Sequence, residues 1–259
     1  MSLSKNEREK ESLNDSDICI VIPTFNNEKT IASIIKRTLR FTYQIIIIDD
    51  GCTDRTHEQL SPYLDKIIII KNKRNRGKGY ALKIGLLKSQ AMGFRYVITL
   101  DADGQHYPED IPLFVEKIKK YPDTLIIGSR TLQNDNMSRN STFANRFSNF
   151  WFYIQTGKRL PDTQTGFRLY PLRRIRYLKL LTAKYEAELE LLVFCAWHDI
   201  KIHPISIRVY YPPKSERVSH FRPFTDFARI SILNTVLCIA TVIYGIPLRA
   251  KHFIRRITQ

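Results

Sequence analysis

The sequence predicts an α/β fold, with a mostly parallel central sheet covered by helices on both faces. Three observations lead there. Short β-branched runs alternate along the chain with longer segments of helical periodicity. Polar residues gather at the carboxyl end of one run after another. The 259 residues, 43% hydrophobic with only 10 Gly and 12 Pro, suffice for the core of one sizeable domain or two small ones and exclude wholesale disorder.

Residues 1–16 form a polar lead-in without an apolar stretch, which argues against a signal peptide or a first membrane span. Residues 18–22 then read as a buried strand, followed by a turn at Pro23-Thr24-Phe25-Asn26 and a helix whose Ile31, Ile34, Ile35 and Leu39 share one face. Further strands are expected at 45–48, 67–70, 96–100 and 125–127, with helices near 53–61, 78–91 and 109–120 between them. After residue 130 the pattern changes to an Asn-rich loop over 131–142 and an aromatic helix over 143–157. A short strand or turn at 166–170, a helix at 185–197 and a strand at 202–209 follow. No internal repeat or low-complexity linker interrupts the chain, so one elaborated domain over 17–212 with an appendage at 213–259 is the expected organisation.

The net charge is +16, which raises nucleic acid, anionic membrane and phosphate-bearing substrates as partners. Its distribution is uneven. Residues 1–129 carry 20 basic and 17 acidic side chains, so nearly all the excess lies beyond them. The four cysteines, Cys19, Cys52, Cys195 and Cys238, show no metal or redox spacing and read as reduced structural thiols of a cytosolic environment.

In such sheets ligands bind beyond the carboxyl ends of the strands. Thr24 and Asn26, Asp49 and Asp50, Asp101 and Asp103, and Ser129 and Arg130 occupy four of those ends and predict a site there. Asp101-Ala102-Asp103 places two carboxylates where a strand gives way to a loop, a pattern that can hold a hard cation and leave coordination positions for phosphate oxygens. The alternative is an ordinary acidic turn. Asp49 or Asp50 can accept from a nucleobase N–H, while Thr53 or Asp54 suits a helix N-cap. Asn75-Arg76-Gly77-Lys78-Gly79 opens a helix with an anion-binding composition but lacks the spacing of a P-loop.

Taken together, Ile22-Pro-Thr-Phe-Asn-Asn-Glu-Lys-Thr-Ile31, Ile48-Asp-Asp-Gly-Cys-Thr-Asp54, Asn75-Arg-Gly-Lys-Gly79, Leu100-Asp-Ala-Asp-Gly-Gln-His106 and Gly128-Ser-Arg130 resemble the ordered motifs of family 2 inverting glycosyltransferases. The nearest branch in resemblance is the dolichyl- or polyprenyl-phosphate sugar synthases. The resemblance implies a GT-A (Rossmann-like) fold, with 17–130 as the nucleotide-sugar half and 131–212 as the acceptor half. It implies donor binding by Pro23, Thr24, Asn26, Asp49, Asp50, Lys78, Asp101, Ala102 and Asp103, and Mg²⁺ or Mn²⁺ held by Asp101, Asp103 and Gln105. Arg130 would face phosphate. Asp162, in Asp162-Thr-Gln-Thr-Gly-Phe167, would lie on the acceptor side, and Glu188 and Glu190 resemble the acidic helix after it. A hydroxyl acceptor would need a general base, with Glu188, Glu190 or Asp162 as candidates, the alternative for the two glutamates being a solvated helix face. Three departures concern the base-recognising region: Cys52 for the usual Ser, Asn27 where relatives often have Glu, and Gly104 for Leu or Pro.

The C-terminal stretch completes the expectation. Lys214, Arg217, His220 and Arg222 form a candidate cationic throat for an acceptor phosphate. Residues 230–248 are uncharged and bounded by Arg229 and Arg249. That length just spans a hydrocarbon core, and it equally suits an in-plane anchor or a buried helix. The expected protein is a metal-dependent hexosyltransferase at the cytoplasmic face of a membrane, the bacterial inner membrane first among candidates. It would be held peripherally or by one C-terminal anchor, and would move sugar from a UDP- or GDP-sugar donor to a lipid phosphate or, alternatively, to a lipid or glycan hydroxyl. A non-catalytic basic membrane-binding module is a weaker alternative. Nucleic acid is disfavoured because strand-end carboxylates repel its phosphates.

Overall fold

The computed structural model describes residues 17–130, 139–176, 180–211 and 223–257. One seven-stranded sheet organises them, formed by β1 (Ile18–Thr24), β2 (Ile45–Asp49), β3 (Ile68–Lys71), β4 (Tyr96–Thr99), β5 (Leu125–Arg130), β6 (Arg168–Pro171) and β7 (Ile202–Ile207) in the order β3-β2-β1-β4-β6-β5-β7. All pairings are parallel except those of β6, which runs antiparallel between β4 and β5. Because β6 is reversed, its first residue lies at the rim where β4 and β5 end. The 162–167 loop is thereby delivered beside Asp101 and Arg130.

Period-two alternation divides each strand between two apolar layers. Ile18, Ile20 and Ile22 of β1, Ile45 and Ile47 of β2 and Ile98 of β4 face α1 (Ile31–Thr38), α2 (Thr56–Leu60) and α4 (Ile111–Lys120). Cys19, Val21, Ile46, Ile48 and Val97 face the opposite layer. That layer is built on α3 (Lys78–Ala91), α5 (Arg139–Thr156), α7 (Glu186–Trp197) and α8 (Pro223–Ala240). A one-turn α6 (Leu172–Ile175) follows β6, and a π-helical turn (Thr241–Gly245) carries α8 into α9 (Ile246–Ile257).

Several boundaries move from expectation. β1 extends through Pro23 to Thr24, and β5 extends to Arg130, so Gly128-Ser129-Arg130 is strand rather than the turn after it. Pairing with β7 along its whole length, Leu125 with Ile202 through Arg130 with Ile207, accounts for the longer β5. All four thiols are free, Cys19 and Cys195 buried and Cys52 and Cys238 partly so, and desolvation pushes Cys19, Cys52 and Cys195 up to about 12.

Helix α3 lies so close to β1 that a Cβ on Gly85 would overlap the Val21 side chain. Gly85→Ala should therefore lower unfolding free energy by about 1–3 kcal/mol in chemical denaturation, despite alanine's better helix propensity. Adding Val21→Ala should recover part of that loss, because the second substitution opens the space the first one needs.

Candidate active site

The rim is built from the ends of β1, β2, β4 and β5, as the strand pattern predicted. At its centre is a largely buried ammonium on a side chain that keeps 20% exposure. Lys78 Nζ, at the first residue of α3, lies 2.7 Å from Asp101 Oδ1 and 2.9 Å from Glu188 Oε2. Burial alone would disfavour its charge, but the two carboxylates outweigh that and hold Lys78 above its ordinary range. Burial likewise opposes ionisation of Asp101, and the Lys78 charge overrides it, leaving Asp101 below the usual carboxylate range. A Cβ at Gly166 would fall within 2.7 Å of Lys78 Nζ and 2.6 Å of Asp101 Oδ1, so the cluster requires glycine there.

Asp103 is different. Its Oδ1 accepts the Gln105 N–H at 2.9 Å, but no ion pair reaches it among the described residues. Burial and the neighbouring Asp101 charge push its pKa up. An under-neutralised second carboxylate beside the first fits a divalent cation. Among the described residues no group of three or more His, Cys, Asp or Glu side chains gathers to hold one. Asp101 and Asp103 are the pair of carboxylates that could contribute to holding a divalent cation at this rim, other ligands having to come from elsewhere. Ala102 places its carbonyl as acceptor for Thr30 Oγ1 at 2.5 Å, and Gly104, at φ +81, supplies the left-handed turn that a larger residue would strain.

The first two strand ends are internally braced. Thr24 Oγ1 donates to Asn27 Oδ1, which also accepts the Phe25 N–H, so Asn27 shapes the turn after β1. Asn26, at φ +53, donates its N–H to Cys52 Sγ at 3.2 Å, and its Oδ1 accepts from Thr53 N. Asp49 accepts the Cys52 N–H at 2.8 Å. His57 Nε2 comes within 2.8 Å of its other oxygen, without hydrogen-bonding alignment. Asp50 accepts from Asn72 Nδ2 and from the backbone N–H groups of Arg76 and Gly77. Both carboxylates thus hold loops together, and Asp54, not Thr53, accepts the N–H of Thr56 at the start of α2.

Beside Asp50 opens a cleft of about 440 Å³ lined by Lys71, Asn72, Lys73, Arg74 and Arg76. The sequence pattern singles out Arg76 and Lys78 in the Asn75–Gly79 stretch but not Lys71, Lys73 and Arg74, which complete five cations in residues 71–78. The near-neutral first half therefore contains a local basic cluster.

On the other side, Arg130 grips Asp162 with two bonds, Nε to Oδ2 at 2.5 Å and Nη2 to Oδ1 at 2.9 Å, and Asp162 is fully buried. Arg168 was not foreseen. Wholly buried, it donates to the carbonyls of Thr163, Thr165 and Glu188 and so ties the 162–167 loop to α7. Glu190 has no contact with the rim cluster: its carboxylate accepts from Leu181 N, Thr182 N and Thr182 Oγ1. Neither Glu188 nor Glu190 lies on a solvated face, because α7 is buried almost all round.

Lys214, Arg217, His220 and Arg222 lie outside the described residues. The strand leading toward them is fastened to the carboxylate loop, however. Tyr210 N donates to Gln105 O at 2.8 Å, His106 bridges Val209, and Arg208 pairs with Asp110. His106 also places Nε2 3.4 Å from Thr165 Oγ1, joining the loop after β4 to the one before β6.

The family model for "Glycosyl transferase family 2" matches residues 19–179, which carry every strand end described above except that of β7. An uncharacterized protein of Methanocaldococcus jannaschii is 28% identical over 216 residues, covering 81% of this chain and 88% of that one. The UDP-N-acetylglucosamine–dolichyl-phosphate N-acetylglucosaminyltransferase of Methanococcus voltae is 28% identical over 219 residues, 76% and 87% of the two chains. The dolichyl-phosphate beta-glucosyltransferase of Dictyostelium discoideum is 28% identical over 224 residues, 76% and 68%. Among solved structures, glucosyl-3-phosphoglycerate synthase of Mycobacterium tuberculosis, in complex with Mn²⁺, UDP-glucose and phosphoglyceric acid, superposes with a TM-score of 0.65 at 17% identity. It covers 93% of this chain and 85% of that one, so the two share the GT-A fold. With its motifs in order on that sheet and the family model matching well over half its length, the chain belongs to glycosyltransferase family 2.

Proposed function

We propose that the chain is a metal-dependent inverting glycosyltransferase that moves a sugar from a nucleotide-sugar donor to a polyprenyl phosphate at the cytoplasmic face of a membrane. One observation carries the choice of acceptor. A hydroxyl acceptor needs a general base, and every carboxylate expected to serve is already engaged: Asp162 by Arg130, Glu188 by Lys78, and Glu190 by the 181–182 backbone. A phosphate acceptor arrives as an anion and needs no base. The dolichyl-phosphate acceptors in the names of two relatives support the same reading.

In this reading the donor lies across the strand ends, with its nucleoside toward Pro23, Thr24, Asn26 and the basic cleft beside Asp50. Its diphosphate lies toward Asp101 and Asp103. A divalent cation held by these carboxylates, with Gln105 beside them, would offset the diphosphate charge. An acceptor phosphate oxygen forms a bond to the anomeric carbon from the face opposite the diphosphate, the bond to the diphosphate oxygen breaks, and the nucleoside diphosphate departs with the electron pair. Arg130, held in place by Asp162, stabilises the charge on the phosphates. Lys78 keeps Asp101 ionised and Glu188 tethered, which makes Glu188 a positioning residue.

Incubation with Mn²⁺, polyprenyl phosphate and a panel of UDP- and GDP-sugars should yield an acid-labile product in the organic phase, and Asp103→Ala should abolish both that product and the donor-induced rise in melting temperature. An acid-stable glycolipid would instead establish a hydroxyl acceptor. Glu188→Gln should lower kcat/KM about tenfold by loosening Lys78, while the pH profile keeps its wild-type shape. Loss of the acidic limb in that profile would instead make Glu188 a general base, since a base loses activity on protonation at low pH. Asp162→Asn, which leaves Arg130 partly buried and uncompensated, should cost about 3 kcal/mol in denaturant unfolding.

A further inference from the structure

The C-terminal helix, from α8 through the π turn into α9, has two unlike faces. Toward the domain, Leu233, Asn234, Leu237 and Thr241 are buried. Gln155 Nε2 donates to Asn234 Oδ1 at 3.0 Å, Thr241 Oγ1 donates to Gln155 O at 3.3 Å, and the Arg249 guanidinium donates to Thr156 O. Trp197, whose Nε1 also donates to Gln155 O, packs so closely against Gly245 that a Cβ there would lie 2.7 Å from its ring. Toward the outside, Ile232, Val236, Ile239, Ile243 and Ile246 recur at spacings of three and four, each between 45% and 73% exposed. Helix α5, packed against α8, presents exposed Phe150 and Tyr153 as well.

We propose that this outer face docks in the plane of an anionic bilayer, with the helix lying on the membrane and not crossing it. A crossing is permitted by length, since residues Ala228–His252 are long and apolar enough. However, a lipid-surrounded span is apolar all round, and crossing would strip the inner face from the domain, uncovering Asn234 and Gln155. In the plane, the apolar outer face enters the acyl boundary and the inner hydrogen bonds survive. Charge selects lipid over a second copy of the chain. Residues 227–259 contain no Asp or Glu, while Lys251, Arg255 and Arg256 follow the apolar stripe beyond the inward-bonded Arg249. A second copy of this face offers no acidic group to pair with these cations, whereas phosphatidylglycerol-like headgroups complement them. The inference deepens the lipid-phosphate reading without depending on it, because vesicle binding is measured without turnover.

The test uses the full chain in flotation with vesicles of phosphatidylcholine containing about one-third phosphatidylglycerol, and with phosphatidylcholine alone. The chain should float with the anionic vesicles and about tenfold less with the neutral ones or at about 1 M salt. The double variant Ile239→Glu/Ile243→Glu, at exposed positions, should lose flotation with its melting temperature unchanged. Alkaline carbonate should release the wild-type chain from native membranes. Three results would each overturn the proposal: retention in the carbonate pellet, which marks a span; a vesicle-free dimer that Ile243→Glu dissociates, which marks a second copy as the occupant; or absence of flotation.

Discussion

The site depends on one largely buried cation. Lys78 stands between the carboxylate that ends β4 and the carboxylate that opens α7, and without its charge Asp101 and Glu188 would be two acids facing each other in a desolvated space. The surrounding structure accommodates it. Gly166 leaves room for the ammonium, and Gly79 allows α3 to approach α7 so closely that a Cβ would strike Ala187. Arg168 fixes the Glu188 carbonyl from below. The loop after β4, the start of α3 and the first turn of α7 are thereby registered by electrostatics at one point.

The same principle governs Arg130 and Asp162, Arg208 and Asp110, and Asp50 with the Arg76–Gly77 backbone. Strand-end carboxylates in this protein mostly organise loops. Asp103 is held more lightly: among the described residues its carboxylate accepts the Gln105 N–H, while burial and the Asp101 charge push its pKa up.

Much of the fold was legible because its signals are local. The isoleucine runs of β1, β2 and β3 alternate or fill in the way a two-sided sheet requires, and the polar residue that ends each strand follows directly in sequence. What stayed hidden was long-range. Nothing in Arg168-Leu-Tyr-Pro171 announces an antiparallel insertion between β4 and β5, since strand direction is a property of pairing. Arg130 and Asp162 were each legible as polar site residues, but their mutual engagement across 32 positions was not. Glu188 and Glu190 did carry an unused signal. Glu186-Ala-Glu-Leu-Glu-Leu-Leu-Val-Phe-Cys-Ala-Trp197 continues apolar on every side, so the helix had to be interior and its acids had to find partners.

The reversed strand β6 has one more consequence. By placing residues 168–171 between β4 and β5, it laces the first and second halves of the sequence into a single hydrogen-bonded sheet. Such a sheet has no seam at which two lobes can swing together over a substrate. Substrate selectivity can then be altered by exchanging loops, while the sheet and its buried charges are left untouched.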